Sequence, residues 1–331
     1  MDSQRVLRAL LCVTVVVGGW SMLWAGEASE GEVPGSPSPA ASSGFLRIRR
    51  DDQKEPVAME TAVTRYVAED EPRKGLTVDL IGAVHVGESE YYAALNKLFQ
   101  SYDAVLYELV APEGTRVVAE PSGGKRHPIS YLQHVMKNVL KLDFQLDRVD
   151  YSAPNMVHAD MSPEQFSRSM KERGESFFSM FLRMFKQSLA AQAGRENGPS
   201  DVDMLIALVA KDRAFRLKRL MAEQFEDLEG AMSALDGPDG STIITERNKK
   251  ALEVLRKQID QGKRKLAVFY GAGHLPDMEK RLLSDFGLKR GSQHWLLAWS
   301  LTRPAGAAEP AAKTDAAKTE AAKTDAAKTG Q

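Results

Sequence analysis

Two segments far apart in the chain end in the same way, and together they restrict the fold more than any other feature. Gly82-Ala83-Val84-His85 closes the hydrophobic, β-branched run 76–84, and Gly271-Ala272-Gly273-His274 closes the run 266–270. A sequence with helical spacing follows each. A strand that ends in Gly and then His, at a strand-to-helix turn, presents an imidazole at the carboxyl edge of a sheet, where open α/β sheets gather their chemistry. Glycine three positions before each His has no Cβ, so backbone or a ligand can approach closely. Two such histidines can share one site, and two imidazoles are the start of a metal site.

The segments around these turns predict an α/β fold with a mixed central sheet, built from two βαβ-like units that carry the Gly-x-x-His turns. Leu46-Arg47-Ile48-Arg49 alternates, and 57–67 is rich in β-branched residues, so both read as strands. After the strand 76–84, residues 90–102 place Tyr91, Leu95, Leu98 and Phe99 on one helical side. The apolar run 104–110 is the next strand, which gives strand, helix, strand, with parallel pairing and a right-handed crossover expected. The C-terminal part repeats the plan: a strand at 265–270, a helix at 276–286 with Pro276 in its first turn, and a closing strand at 295–299. Between the two units, roughly 130–260, the chain reads as a helical insertion or cap. Ser162-Pro163-Glu164-Gln165 is a capping box there. Helices are expected at 177–189, 201–226 and 243–261. The first is rich in Phe and Met, a composition that packs within a cap or lines an apolar groove.

The ends have a different character. Arg5 and Arg8 precede an uncharged stretch, 9–26, followed by small and acidic residues. That is the layout of a secretory signal, so residues 1–28 are expected to direct export to the periplasm or beyond. The rival reading is an uncleaved anchor, with Trp20 and Trp24 at the interface, and the only membrane contact would then pass through this segment. Residues 29–43, rich in Gly, Pro, Ser and Ala, form a linker, and the domain proper spans 44–303. Residues 304–331 repeat Ala-Ala-Lys-Thr-Asp/Glu and lack large apolar side chains, so a disordered tail is expected. The single cysteine, Cys12, lies in the export segment. Any metal site in the mature chain must therefore be built from His, Asp and Glu. The net charge of −1 over 331 residues argues against a nucleic-acid partner, because duplex binding needs a basic surface.

Four residues carry the expected chemistry. His85 and His274 are the metal-ligand candidates. Glu108 ends an otherwise apolar strand at the same carboxyl edge, and an acid there needs a partner, because an unpaired buried carboxylate is costly. Two imidazoles and a carboxylate with open positions form a hydrolytic metal arrangement, in which Glu108 is either a ligand or the general base. The plainer alternative for Glu108 is a salt bridge to an arginine inside the fold. Arg247 stands near the start of a helix, against the macrodipole's preference for acids. It either faces a substrate oxyanion, pairs with Glu108 or lies on the surface. His158 and Asp160 could set a carboxylate beside an imidazole, but the structural reading, with Asp160 capping the next turn, is preferred.

Gly82-x-x-His85, Tyr107-Glu108-Leu109, Thr245-Glu246-Arg247-Asn248 and Gly271-x-Gly273-His274-Leu275 fall in the order seen in the TraB/PrgY/GumN family, which includes the Tiki-type metalloproteases. Over residues 46–301 the chain resembles that family. The resemblance implies an α/β fold related to erythromycin esterases and haem-binding ChaN-like proteins, with a helical insertion. It also implies that His85, Glu108 and His274 are site residues, with Arg247 nearby. The activity it implies is divalent-metal-dependent cleavage of a peptide or protein substrate, supported in Tiki-type members by manganese or cobalt. The residues themselves leave the divalent metal open among manganese, cobalt, zinc and iron. Ala83-Val84 departs from the Thr that many relatives carry in the first motif. The rival expectation is a non-catalytic protein of the same fold that captures a peptide or a haem-like ligand through the same His pair.

Overall fold

Period-two alternation in the strands decides how the layers form. In the computed structural model, which describes residues 44–112, 115, 140–176, 210, 212–225, 236 and 239–303, nine strands are found. They are β1 (Leu46–Arg50), β2 (Pro56–Val67), β3 (Thr77–Ala83), β4 (Val86–Gly87), β5 (Ala104–Tyr107), β6 (Asp143–Phe144), β7 (Met156–His158), β8 (Lys265–Gly271) and β9 (Lys289–Ser300). The helices are α1 (Ser89–Phe99), α2 (Gln145–Arg148), α3 (Pro163–Glu172), α4 (Arg213–Phe225), α5 (Arg247–Asp260) and α6 (Leu275–Ser284). The expected export segment and linker, the Phe/Met-rich helix at 177–189 and the tail lie outside the described residues. Among the described residues no helix is long and apolar enough to cross a membrane.

Seven strands form one mixed sheet in the order β1-β2-β3-β8-β5-β7, with β9 on the other side of β2. Strands β3, β8, β5 and β7 run parallel, while β1, β3 and β9 pair antiparallel with β2. Ile81, Val105 and Phe269 point to one face, where they meet Tyr91, Leu95 and Phe99 of α1, Leu217 and Ala222 of α4, and Trp299. Val78, Leu80, Leu106 and Val268 point to the other face, against Ala251, Leu252 and Leu255 of α5 and Leu275, Met278 and Leu282 of α6. Fully burying one such side chain stabilises the fold by roughly 1.5–3 kcal/mol, so both helical layers are firmly held.

Three details depart from the sequence reading. β3 and β5 are parallel, as the βαβ unit requires, but they are not neighbours: β8 lies between them and pairs with both. The second unit does not close in parallel, since β9 returns to the far side of β2 and runs antiparallel to it. The region 130–260 is not wholly helical either, because β7 joins the sheet edge beside β5. The insertion of β8 has a direct consequence for the site. It brings the turn after β8 between the strand ends that carry His85 and Glu108.

Candidate functional site

All four parallel strands deliver a polar residue at or just beyond their carboxyl ends. His85 follows β3, Glu108 follows β5, His274 follows β8, and Asp160 lies two residues past β7. Arg247, the first residue of α5, closes the group from above the edge. A π-helical turn, Thr242–Glu246, leads into it. Such turns are uncommon and often accompany functional sites.

Arg247 is the centre of the cluster and is 8% exposed. Its Nε donates to Asp160 Oδ1 at 2.9 Å, and its Nη2 donates to Asp160 Oδ2 at 2.5 Å and to Glu108 Oε1 at 2.7 Å. Nη1 lies 3.4 Å from His274 Nε2. Of the five N–H groups a guanidinium carries, these contacts use four. Among the described residues, one N–H on Nη1 has no partner. The other oxygen of Glu108 accepts from the Gly271 backbone N–H at 2.7 Å. A Cβ on Gly271 would come within 3.2 Å of that oxygen, which explains the glycine there: it makes room for the carboxylate.

Electrostatics follow from this geometry. Burial works to raise the Glu108 carboxyl, but the charge of Arg247, the neighbouring imidazoles and the Gly271 N–H outweigh it and hold Glu108 well below the usual carboxylate range. A carboxylate held that low is a feeble proton acceptor, since general bases work best with a pKa near the working pH. Burial would also favour loss of the Arg247 proton, but Asp160 and Glu108 keep the guanidinium charged. His274 is pushed down to about 4, first by burial, with Glu108 opposing and Arg247 reinforcing the shift. The 3.6 Å approach of His274 Nε2 to Glu108 is therefore not an ion pair at neutral pH. The ring is neutral there.

These shifts make the fold acid-sensitive. His274 keeps an ordinary pKa near 6.5 when unfolded and one of about 4 when folded, so between those values the unfolded chain binds the extra proton. Its contribution, on the order of 3 kcal/mol, is complete above about pH 6.5 and lost as the pH falls towards 4. Glu108 acts in the same direction at lower pH, stabilising above its unfolded value of 4.5 and losing that effect as the pH drops through its folded value. Denaturant melts at about pH 7 and about pH 5 should differ for the wild type and converge for His274→Gln. Equal pH dependence in both proteins would contradict this assignment.

The two histidines are held in similar ways by different elements. His274 Nδ1 faces Asn248 Oδ1 at 2.8 Å, and the Asn248 amide donates to His274 O and Asp277 Oδ2. His85 is half-buried, and its Nδ1 lies 3.2 Å from Gln145 Oε1. The turn that carries it is fixed by side chains. Tyr91 donates to Gly82 O, Tyr92 to Val84 O and the Trp299 indole to Val86 O. The backbone N–H of Gln145 takes His85 O at 2.9 Å. His85 is close enough to influence both Glu108 and His274 electrostatically.

The structure thus brings His85, Glu108, Arg247 and His274 to one edge. It adds Gln145, which the sequence did not mark, together with Asn248, known there only as a neighbour of Arg247 in its motif, and Asp160, read there by preference as a cap. Asp160 does accept the Met161 N–H, but its main partner is Arg247, and Ser162 caps α3 in a full capping box. His158 turns aside, with its Nε2 2.6 Å from Leu109 O. As arranged, the donors do not make a metal site. Glu108 has both oxygens engaged, and Arg247 sits against the nitrogen of His274 that a metal would need. Among the described residues no group of three or more His, Cys, Asp or Glu is disposed to hold an ion. The fold and cluster define an α/β protein with an imidazole–carboxylate–guanidinium site at the carboxyl edge of its parallel strands. No family model matches the chain, and no curated protein or solved structure matches it.

Proposed function

We propose that this chain is an exported hydrolase that attacks a carbonyl carbon, a peptidase of the TraB/PrgY/GumN type. The observation that supports this reading best is the convergence of His85, Glu108, Arg247 and His274 on one edge, one residue from each of the four motifs that carry the resemblance. In the proposal, His85 is the proton acceptor. It is the imidazole of the pair that reaches solvent, whereas Glu108 is spent on Arg247. Water gives its proton to His85 Nε2 as its oxygen attacks the carbonyl, and the same imidazole returns the proton to the leaving amine. The remaining N–H on Arg247 Nη1 stabilises the oxyanion that forms. Glu108, Asp160 and His274 hold the guanidinium in place, so no reorganisation is needed when that charge develops.

Incubating the full chain with a mixed-sequence peptide library and reading new termini by mass spectrometry tests this. Cleavage products are expected, and an intact library would contradict the proposal.

A metal-dependent form of the same hydrolase is a second reading. What favours it is that β3 and β8 are adjacent, so their two Gly-x-x-His turns sit side by side. It would use His85 and His274 as ligands and would require Glu108 and His274 to release Arg247. A bound divalent ion would supply Lewis-acid polarisation of the carbonyl. Elemental analysis of the protein beside its His85→Ala/His274→Ala variant separates the readings. Near-stoichiometric manganese, cobalt, zinc or iron, lost in the variant, would select the metal form, and no metal in either after incubation with divalent ions would select the metal-free one.

A further inference from the structure

His274 shows how an imidazole's tautomer is fixed in this site. The Asn248 amide nitrogen faces two groups that can only accept, His274 O at 3.0 Å and Asp277 Oδ2 at 2.8 Å. Its oxygen must therefore be the atom turned to His274 Nδ1, which makes that nitrogen the N–H. On the other side of the ring, Arg247 can only donate, so Nε2 must carry the lone pair. Both neighbours demand the same form.

His85 is held by a second carboxamide in a matching position. Gln145 is 4% exposed, and it grips His85 twice, through its backbone N–H to His85 O at 2.9 Å and through Oε1 to Nδ1 at 3.2 Å. Its amide nitrogen donates to the buried Tyr151 hydroxyl at 2.8 Å. The double grip follows from the small ribbon in which Val86 and Gly87 of β4 pair with Phe144 and Asp143 of β6. That ribbon delivers Gln145, the first residue of α2, onto the His85 turn. A second hydrogen bond pins the ribbon, from Ser89 Oγ to Asp143 Oδ2.

We infer that Gln145 is a positioning residue that holds His85 in the Nδ1–H tautomer and so leaves the Nε2 lone pair free to accept a proton. A free histidine side chain in water favours the opposite form, and which nitrogen carries the proton is set by the hydrogen bond the other ring atom makes. Without Gln145 the nitrogen that should take the proton from water would carry one already. The catalytic consequence rests on the reading of His85 as proton acceptor. The tautomer itself does not.

The test reads the tautomer directly. Nitrogen-15 long-range correlation spectra of the histidine-labelled full chain, at mildly alkaline pH, distinguish a pyrrole-type from a pyridine-type nitrogen in each ring. His85→Ala and His274→Ala assign the two site residues by loss of signal. Pyrrole-type Nδ1 and pyridine-type Nε2 are expected for both. Gln145→Leu should shift His85 towards the Nε2–H form while His274 stays unchanged, and Gln145→Glu, which keeps an acceptor oxygen, should restore Nδ1–H. An Nε2–H tautomer for His85 in the wild type, or no change in Gln145→Leu, would overturn the inference. Where peptide cleavage is measured, Gln145→Leu should lower kcat by about 10–100-fold, the loss seen when the hydrogen-bond partner of a metal-bound histidine is removed. Tautomers as expected with no cleavage by any form would uphold the role of Gln145 and count against the hydrolase reading instead.

Discussion

Replacing Arg247 with methionine should destabilise the fold by about 3–5 kcal/mol, the range seen when one partner of a buried ion pair is removed. Methionine replaces the aliphatic stem of the side chain and keeps its apolar packing, but it leaves Glu108 and Asp160 without their cation. The Asp160 side chain is fully buried and that of Glu108 is 10% exposed, so water can replace little of what the guanidinium supplies. A domain of ordinary stability holds only about 5–15 kcal/mol in total, so the variant should be marginal. Adding Glu108→Gln and Asp160→Asn should restore part of the loss, because each amide needs no counter-charge. Denaturant melts of the single and triple variants check this. A single variant within about 1 kcal/mol of wild type would mean that Arg247 does not carry the cluster.

His85→Ala should do the opposite, leaving the fold intact and removing turnover. The side chain is half-buried, and the turn beneath it is held by Tyr91, Tyr92, Trp299 and the Gln145 backbone rather than by the imidazole. Loss of a general base costs about 10²–10⁴-fold in rate, while the loss of stability should stay within the roughly 1–3 kcal/mol that an unpaired Gln145 oxygen costs, well short of unfolding the domain. Initial rates of peptide cleavage beside far-ultraviolet melts check both halves. A variant that unfolds would show His85 to be structural.

Much of this site was legible in the sequence because its members break local rules. Glycine followed by histidine at the end of a β-branched run, an acid on an apolar strand and an arginine at a helix start each signal a tertiary demand. Asp160 breaks no rule, since an aspartate just before a helix reads as a cap, and its pairing with Arg247 is decided by a helix far along the chain. Gln145 and Asn248 are uncharged amides with no periodic signature, and their partners, His85 and His274, are distant in sequence.

The fold was readable to a similar depth. The strands β2, β3, β5 and β8 follow from their apolar runs, but the place of β8 between β3 and β5 does not. A βαβ pattern dictates parallel direction and leaves neighbour order to assembly of the whole sheet. Met156–His158 is too short for a period-two pattern to show. The first half of β9 is exposed and polar, so its length beyond the Trp295–Trp299 stretch was not visible in apolar alternation.

The most direct test of the central claim is peptide-library cleavage in ¹⁸O-labelled water, with the wild type and His85→Ala side by side. New carboxyl termini carrying one heavy oxygen are expected from the wild type, and none above background from the variant. Unlabelled or absent products from the wild type, or labelled products in equal amounts from both proteins, would contradict it.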